Sequence, residues 1–246
     1  MTSNSYDMAA LWMQGDFVIK GIMVLLLLMS VASWYVIVTR TWRLMKLRRA
    51  ARAAADFWHA QSFGEGLHIL DAHGKENPFY RLANEGKAAV DHHAMNRSDL
   101  HGQMSLAEWL TSSLRGSIDE SVDRMQHGLS ILASVGSTAP FVGLFGTVWG
   151  IYHALISISN SGQVGIEKVA GPVGEALIMT ALGLAVAIPA VLAYNTLVRG
   201  NKGILSRLNG FAHQLHAYFI TGMPISRNGA TGNAAKTAVN AVAGAR

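Results

Sequence analysis

Three apolar runs organise the chain. They cover residues 17–38, residues 129–158 and residues 173–198, and their only charged side chains are Lys20 in the first run and Glu175 in the third. A helix rises about 1.5 Å per residue, so about 20 residues cross a hydrocarbon core about 30 Å thick. The pattern therefore predicts an all-α integral membrane protein with three transmembrane helices.

The segments between and after these runs are more polar. Apolar residues recur at helical spacing within residues 39–128, which predicts amphipathic helices that extend the bundle into the cytoplasm. Residues 159–172 read as a short loop, and the third span is expected to start near Pro172, because proline suits the first helical turn. A helix of residues 199–226, containing His213 and His216, and a Gly/Ala/Asn-rich disordered tail of residues 227–246 complete the chain.

Positive charge follows the first and third runs. The cytoplasmic ends of membrane helices carry an excess of Lys and Arg, which predicts a periplasmic N-terminus at residues 1–16, a periplasmic loop at residues 159–172 and a cytoplasmic C-terminus. The first run is too long for a signal peptide and lacks a basic segment before it. The basic residues that set this topology are Arg40, Arg43, Lys46, Arg48, Arg49, Arg52, Arg199, Lys202 and Arg207.

Composition removes several classes of function. The chain has no cysteine and a net charge of +5, and topology explains that charge better than nucleic-acid binding does. The pair His92 and His93 points in directions about 100° apart on a helix and has no third ligand nearby, so a solvated face is favoured over a metal site. No nucleophile–base pair or metalloprotease motif lies in the spans. We expect no enzyme activity, no catalytic residue, no cofactor and no metal.

The second and third runs each carry a stripe of small residues at the helical period. A small stripe lets another helix, or a narrow pore, come close to the backbone. Prolines within both runs predict bends. The residues assigned to close helix packing are Gly136, Pro140, Gly143, Gly146, Gly150, Gly183, Ala187 and Pro189.

Each stripe contains one hydroxyl, Thr147 on the second run and Thr180 on the third, and Glu175 flanks the latter. An acid at membrane depth usually faces a bundle interior or an aqueous path, whereas an acid in a first helical turn can simply complement the helix dipole. Three helices do not enclose a pore, so a path would need a ring of copies or the helices of a partner. Thr147, Thr180 and Glu175 are the candidate pore-lining residues of a proton pathway.

Two segments carry a family resemblance: APFVGLFGTVWGIYHA at residues 139–154 and GPVGEALIMTALGLAVAIPAVLAYN at residues 171–195. They resemble the proton-channel family that includes ExbB, TolQ and the flagellar stator protein MotA. Three spans fit the ExbB/TolQ branch, since MotA-like members have four. The N-terminal extension and the loop before the third span are more similar to ExbB. Met179 departs from the alanine that relatives often have before the threonine.

The resemblance implies a homopentamer in the bacterial inner membrane, with ExbD-like single-span subunits inside its pore and a TonB-like protein docked outside. Such a motor uses the proton-motive force to energise TonB-dependent transport across the outer membrane. Thr147, Thr180 and Glu175 match the pore-lining polar positions of the family, and the proton-carrying acid would be an aspartate of the ExbD-like partner. Two alternatives stay open: a TolQ-like subunit of the Tol-Pal envelope motor, and a non-conducting membrane scaffold.

Overall fold

A computed structural model describes residues 17–72, 74, 76–95, 104–161 and 166–223. This part of the chain contains helices and no strand, which confirms the predicted all-α class. The elements are α1 (Phe17–Asp56), a 3-10 helix (Phe57–His59), α2 (Phe63–Asp71), α3 (Pro78–Met95), α4 (Leu106–Gln126), α5 (Leu129–Ser161) and α6 (Ile166–Thr221).

Three helical stretches in the described residues are long and apolar enough to cross a membrane, by length and composition. Each contains all or most of one of the apolar runs predicted from the sequence. The stretches are Phe17–His59, Leu106–Ile156 and Ala176–Thr221. The number of apolar spans therefore agrees with the prediction.

The chain divides into two units. The apolar unit comprises Met1–Met45 and Met125–Lys202, and it holds the apolar runs. The polar unit comprises Lys46–Arg124 and Gly203–Arg246. Helices α1 and α6 contribute residues to both units, because neither helix ends where its apolar run ends.

The third long helix starts earlier than the sequence suggested. Helix α6 begins at Ile166, six residues before Pro172, so Pro172 lies inside the helix and not in its first turn. A proline removes one backbone hydrogen bond but does not have to end a helix, and Pro140 likewise lies inside α5. Most of the predicted loop of residues 159–172 belongs to α5 or α6, and its remaining residues, 162–165, are not among the described residues. The predicted N-terminal segment of residues 1–16 and the predicted tail of residues 227–246 also lie outside the described residues.

The polar unit has an aromatic and aliphatic core. Phe57 makes edge contacts with the rings of Phe63 and Phe211, at centroid distances of 5.4 and 5.3 Å. Asn77 joins α2 to α3: its Nδ2 donates to the carbonyl oxygen of Leu70 and its Oδ1 accepts from the Phe79 amide. The largest side chains with almost no exposure in this unit are Leu70, Phe79, Leu82, Leu110, Leu208 and Leu215. The C-terminal part of α6, up to Thr221, is thus a packed helix of this unit.

In the apolar unit, contacts from α1 and α6 hold the turn between α4 and α5. Gly128 in this turn has φ of +80°, a conformation that glycine adopts at little cost. The guanidinium group of Arg40 lies beside Gly128. Asn201 Nδ2 donates to the carbonyl oxygen of Met125 at 2.9 Å, which satisfies one of the free carbonyl groups at the end of α4. The start of α5 is therefore anchored to both other long helices of the unit.

Candidate functional site

The small stripes of α5 and α6 face each other within one chain. Gly143 lies so close to α6 that a Cβ atom added to it would stand 2.6 Å from the carbonyl oxygen of Met179 and 3.1 Å from the Cα atom of Gly183. A Cβ atom added to Gly183 would stand 2.6 Å from the carbonyl oxygen of Ala139. The two 2.6 Å distances are too short for a real Cβ atom. The two backbones are therefore in direct contact at this level.

The remaining glycines of the stripe extend this contact along α5. A Cβ atom on Gly136 would meet Val191, one on Gly146 would meet the side chain of Met179, and one on Gly150 would meet Ala176. On α6, Ala187 is buried and Pro189 is partly buried, while Pro140 is partly buried on α5. Small residues at the helical period thus allow two helices to pack closely, as they do in membrane proteins generally.

The two threonines meet in this contact. Thr147 Oγ1 lies 2.5 Å from Thr180 Oγ1 and 3.2 Å from each of two carbonyl oxygens, that of Gly143 on its own helix and that of Ala176 on α6. Thr147 is only 7% exposed, whereas Thr180 is partly exposed. The structure therefore joins the two predicted hydroxyls directly and leaves one side of Thr180 accessible.

Glu175 belongs to the backbone of α6, one residue before the buried Ala176. Its side chain lies outside the described residues. The backbone alone places Glu175 five residues before Thr180, about 7.5 Å along the helix axis.

The opposite faces of α5 and α6 are apolar and exposed. On α5 this face includes Phe141, which is 71% exposed, and Val148. On α6 it includes Leu177 and Ile188. A bilayer or the helices of other chains can cover such faces, since hydrocarbon and apolar side chains are equivalent surroundings for them.

Two positions matter here that sequence reasoning treated as minor or did not notice. Met179 is 1% exposed and fills the space beside Gly146. Its helical spacing from Ala176 and Gly183 was the available signal, because residues three and four apart share a face. The carbonyl oxygen of Ala176, which contacts Thr147, carries no sequence signal at all, since every residue has one.

The pair His92 and His93 lies in the last turn of α3. His92 stacks on Trp109 at a centroid distance of 6.0 Å, and Trp109 Nε1 donates to the carbonyl oxygen of Ala89. Among the residues that the structure describes, no group of three or more His, Cys, Asp or Glu side chains is placed to hold a metal ion. In the apolar unit the His153 ring lies tilted against the Trp149 ring at a centroid distance of 4.8 Å, and its Nδ1 lies 3.2 Å from the carbonyl oxygen of Trp149.

Comparison with known proteins gives a family match. The MotA/TolQ/ExbB proton channel family matches residues 83–209, a range that includes the contact between α5 and α6. Biopolymer transport protein ExbB of Xanthomonas campestris pv. campestris is 40% identical over 226 residues, which cover 90% of this chain and 86% of that protein. Biopolymer transport protein ExbB of Neisseria meningitidis serogroup A is 44% identical over 207 residues, 82% of this chain and 92% of that protein. Tol-Pal system protein TolQ of Pseudomonas aeruginosa is 30% identical over 225 residues, 88% and 95% of the two chains.

Proposed function

This chain belongs to the MotA/TolQ/ExbB proton channel family, and we propose that it is the ExbB-like proton-channel subunit of an inner-membrane motor that energises TonB-dependent transport across the outer membrane. The observation that carries the proposal is the difference in identity between its relatives. The ExbB proteins of Xanthomonas campestris and Neisseria meningitidis are 40% and 44% identical over most of the chain, and the TolQ protein of Pseudomonas aeruginosa is 30% identical. The ExbB branch is therefore favoured.

The proposed assembly is a multi-pass protein of the bacterial inner membrane, with its N-terminus in the periplasm and its C-terminus in the cytoplasm. The basic residues after the first and third spans support this orientation. Five copies form a ring around ExbD-like single-span subunits, and a TonB-like protein docks on the outside. A ring is needed because three spans cannot surround a path on all sides.

Thr180 and Glu175 line the proton pathway in this proposal, and the buried Thr147 supports Thr180 through the hydrogen bond between their hydroxyl groups. In the contact between α5 and α6 the two helices touch at Gly143, Gly183 and their neighbours, so the contact leaves no space for a path. We therefore place the path along the edge of this helix–helix contact, where Thr180 is partly exposed. An ExbD-like subunit supplies the second carboxyl group that a proton relay needs and that the spans of this chain lack.

Replacing Glu175 by alanine tests the conducting role. We expect Glu175→Ala to abolish energy-dependent uptake through a TonB-dependent receptor while the complex still assembles. Gly174→Ala is the matched control, because a Cβ atom at Gly174 would meet nothing within 4 Å. Normal uptake in Glu175→Ala would contradict a proton pathway through this residue.

A non-conducting scaffold is the second candidate, and the close packing of α5 on α6 favours it. In that case Gly143→Leu or Gly150→Leu would disrupt the oligomer, whereas Glu175→Gln would leave transport unchanged.

A TolQ-like role is tested by complementation. We expect the chain to restore TonB-dependent uptake to cells lacking their own ExbB protein, and restoration of only Tol-Pal function would assign it to the other branch.

A further inference from the structure

The basic ends of α1 and α6 lie at one level of the apolar unit. A Cβ atom added to Gly200 of α6 would overlap the side chain of Leu44, which is buried on α1. A helix rises about 1.5 Å per residue, so residues within four positions of this contact lie within about 6 Å of it along the helix axis. Four cations meet this condition and form what we call the basic collar: Arg40, Arg43, Arg199 and Lys202.

The turn between α4 and α5 joins the same level. A Cβ atom on Gly128 would stand 3.1 Å from Nη2 of Arg40, and Asn201 of α6 donates to the carbonyl oxygen of Met125. Tertiary contacts from three segments therefore hold the cations of α1 and α6 at a common height.

The described part of the apolar unit offers the basic collar no acid at its own level. No Asp or Glu occurs in residues 17–45, 125–161 and 176–202. Glu175 precedes Arg199 by 24 residues, about 36 Å along α6. Both ion pairs of the described residues use Glu120 of the polar unit, so no collar cation takes part in one. Uncompensated charge of one sign repels itself, so an anion from outside the chain would stabilise this end of the unit.

The surface that leads up to the basic collar is apolar and exposed on both helices. On α1 it includes Tyr35 and Val38, and on α6 it includes Leu192 and Val198. Trp42, which is exposed, lies between the two arginines of α1. Tryptophan favours the boundary between hydrocarbon and headgroups in a bilayer. The collar therefore stands where lipid phosphate groups lie when the apolar helices span a membrane.

We propose that the basic collar is a binding surface for anionic phospholipids, with phosphatidylglycerol as the simplest case. Arginine presents a planar fork of N–H donors that matches phosphate oxygens, and Lys and Arg side chains near an anionic lipid surface are each attracted to it. A lipid is favoured over an acidic protein segment because the exposed apolar residues continue directly from the cations. A single molecule that is anionic at one end and apolar along its length covers both surfaces.

The bound lipid would neutralise the collar and fix the height of α1 and α6 in the bilayer. This inference requires only that the apolar helices span a membrane. It does not depend on the proton pathway or on the branch of the family.

Native mass spectrometry of the purified full-length chain tests the surface. Equal amounts of dioleoylphosphatidylglycerol and dioleoylphosphatidylcholine, which differ only in their headgroups, are added in a neutral detergent, and the ratio of the two bound lipids is measured. We expect the wild-type chain to retain phosphatidylglycerol preferentially. The double variant Arg43→Gln/Arg199→Gln should lower the ratio about 25-fold, about fivefold for each cation removed.

Variants of matched charge separate the collar from net charge. Arg43→Gln alone should lower the ratio about fivefold, whereas Arg115→Gln, which removes an exposed charge of the polar unit, should leave it unchanged. Arg43→Lys/Arg199→Lys keeps both charges and should keep most of the preference. If the double glutamine variant fails to fold, Lys202→Gln gives a second reading, because Lys202 is exposed and its removal disturbs no packing.

Three results would overturn the inference. The first is equal retention of the two lipids by the wild-type chain, and the second is an equal loss in Arg43→Gln and Arg115→Gln, which would show a response to net charge alone. The third is displacement of bound phosphatidylglycerol by glycerol 3-phosphate or by the single-span partner, which would assign the collar to a soluble phosphate or to a protein. Each of these results would leave the proposed function standing.

Discussion

Gly143 on α5 and Gly183 on α6 touch backbone to backbone. A Cβ atom on Gly183 would stand 3.0 Å from the Cα atom of Gly143 and 3.2 Å from its amide nitrogen. No flexible side chain lies between them that could move aside. This contact sets the distance between the two helices, and it brings Thr147 within hydrogen-bonding distance of Thr180.

Gly143→Ala is the first prediction. The added methyl group would lie 2.6 Å from the carbonyl oxygen of Met179, so α5 and α6 must separate to accept it. We expect a loss of about 1 to 3 kcal/mol in the free energy of unfolding, measured by denaturant titration in detergent micelles. Gly174→Ala on α6 has open space around it and should not destabilise the protein. Equal stability of the two variants would refute the close contact.

Met179→Ala tests the packing beside Gly146. Met179 is 1% exposed, so its truncation leaves a cavity and should lower the free energy of unfolding by about 2 to 5 kcal/mol. Leu177, two residues earlier, is 57% exposed and provides the comparison. Leu177→Ala should cost much less in the isolated chain in micelles. If the two truncations cost the same, the assignment of the buried face of α6 is incorrect.

Gly128→Ala should weaken the turn between α4 and α5. Gly128 has a left-handed backbone conformation, which costs a residue with a Cβ atom about 1 to 2 kcal/mol. The added methyl group would also lie 3.1 Å from the Arg40 guanidinium group. We expect a lower melting temperature, measured by circular dichroism. Gly116→Ala in α4, where nothing lies within 4 Å, should keep or raise the melting temperature because alanine favours helices. A Gly128→Ala protein as stable as wild type would argue against this turn conformation.

Glu120 gives a prediction about pH. Arg81, which donates a hydrogen bond to the Glu120 carboxylate, and Arg124, which donates at 2.9 Å, lower the pKa of Glu120 below its ordinary value of 4.5. A carboxyl group with a depressed pKa in the folded state stabilises the protein above the unfolded pKa, and that contribution is lost as the pH falls through the folded pKa. Glu120→Gln should therefore have a lower melting temperature than wild type at pH 7.

The difference between Glu120→Gln and wild type should shrink as the pH falls below 4.5 and the wild-type carboxylate becomes protonated. Because Glu120 is exposed, we expect a small effect at pH 7 that also weakens with salt. Asp123→Asn is the matched control. Both ion pairs found in the described residues use Glu120, and neither uses Asp123. A difference that grows at low pH would show that the linkage has the opposite sign.

Much of the architecture could be predicted from local sequence. The apolar spans follow from run length and missing charge, and the small stripes follow from the helical period around Gly143 and Gly183. The start of α6 could not be predicted in this way, because Pro172 is compatible with both a first turn and a helix interior. The packing role of Met179 could not be predicted from local sequence either, because its burial depends on the facing Gly146.

The sequence by itself determined that this chain has three apolar helices, two stripes of small residues and one hydroxyl in each stripe, because hydropathy and helical period are local properties. Only the tertiary structure decided that the stripes face each other, and that Thr147 contacts both Thr180 and the carbonyl oxygen of Ala176, 29 residues away. The physical reason is that the register between two helices depends on every contact along them. No short segment of the sequence contains that information.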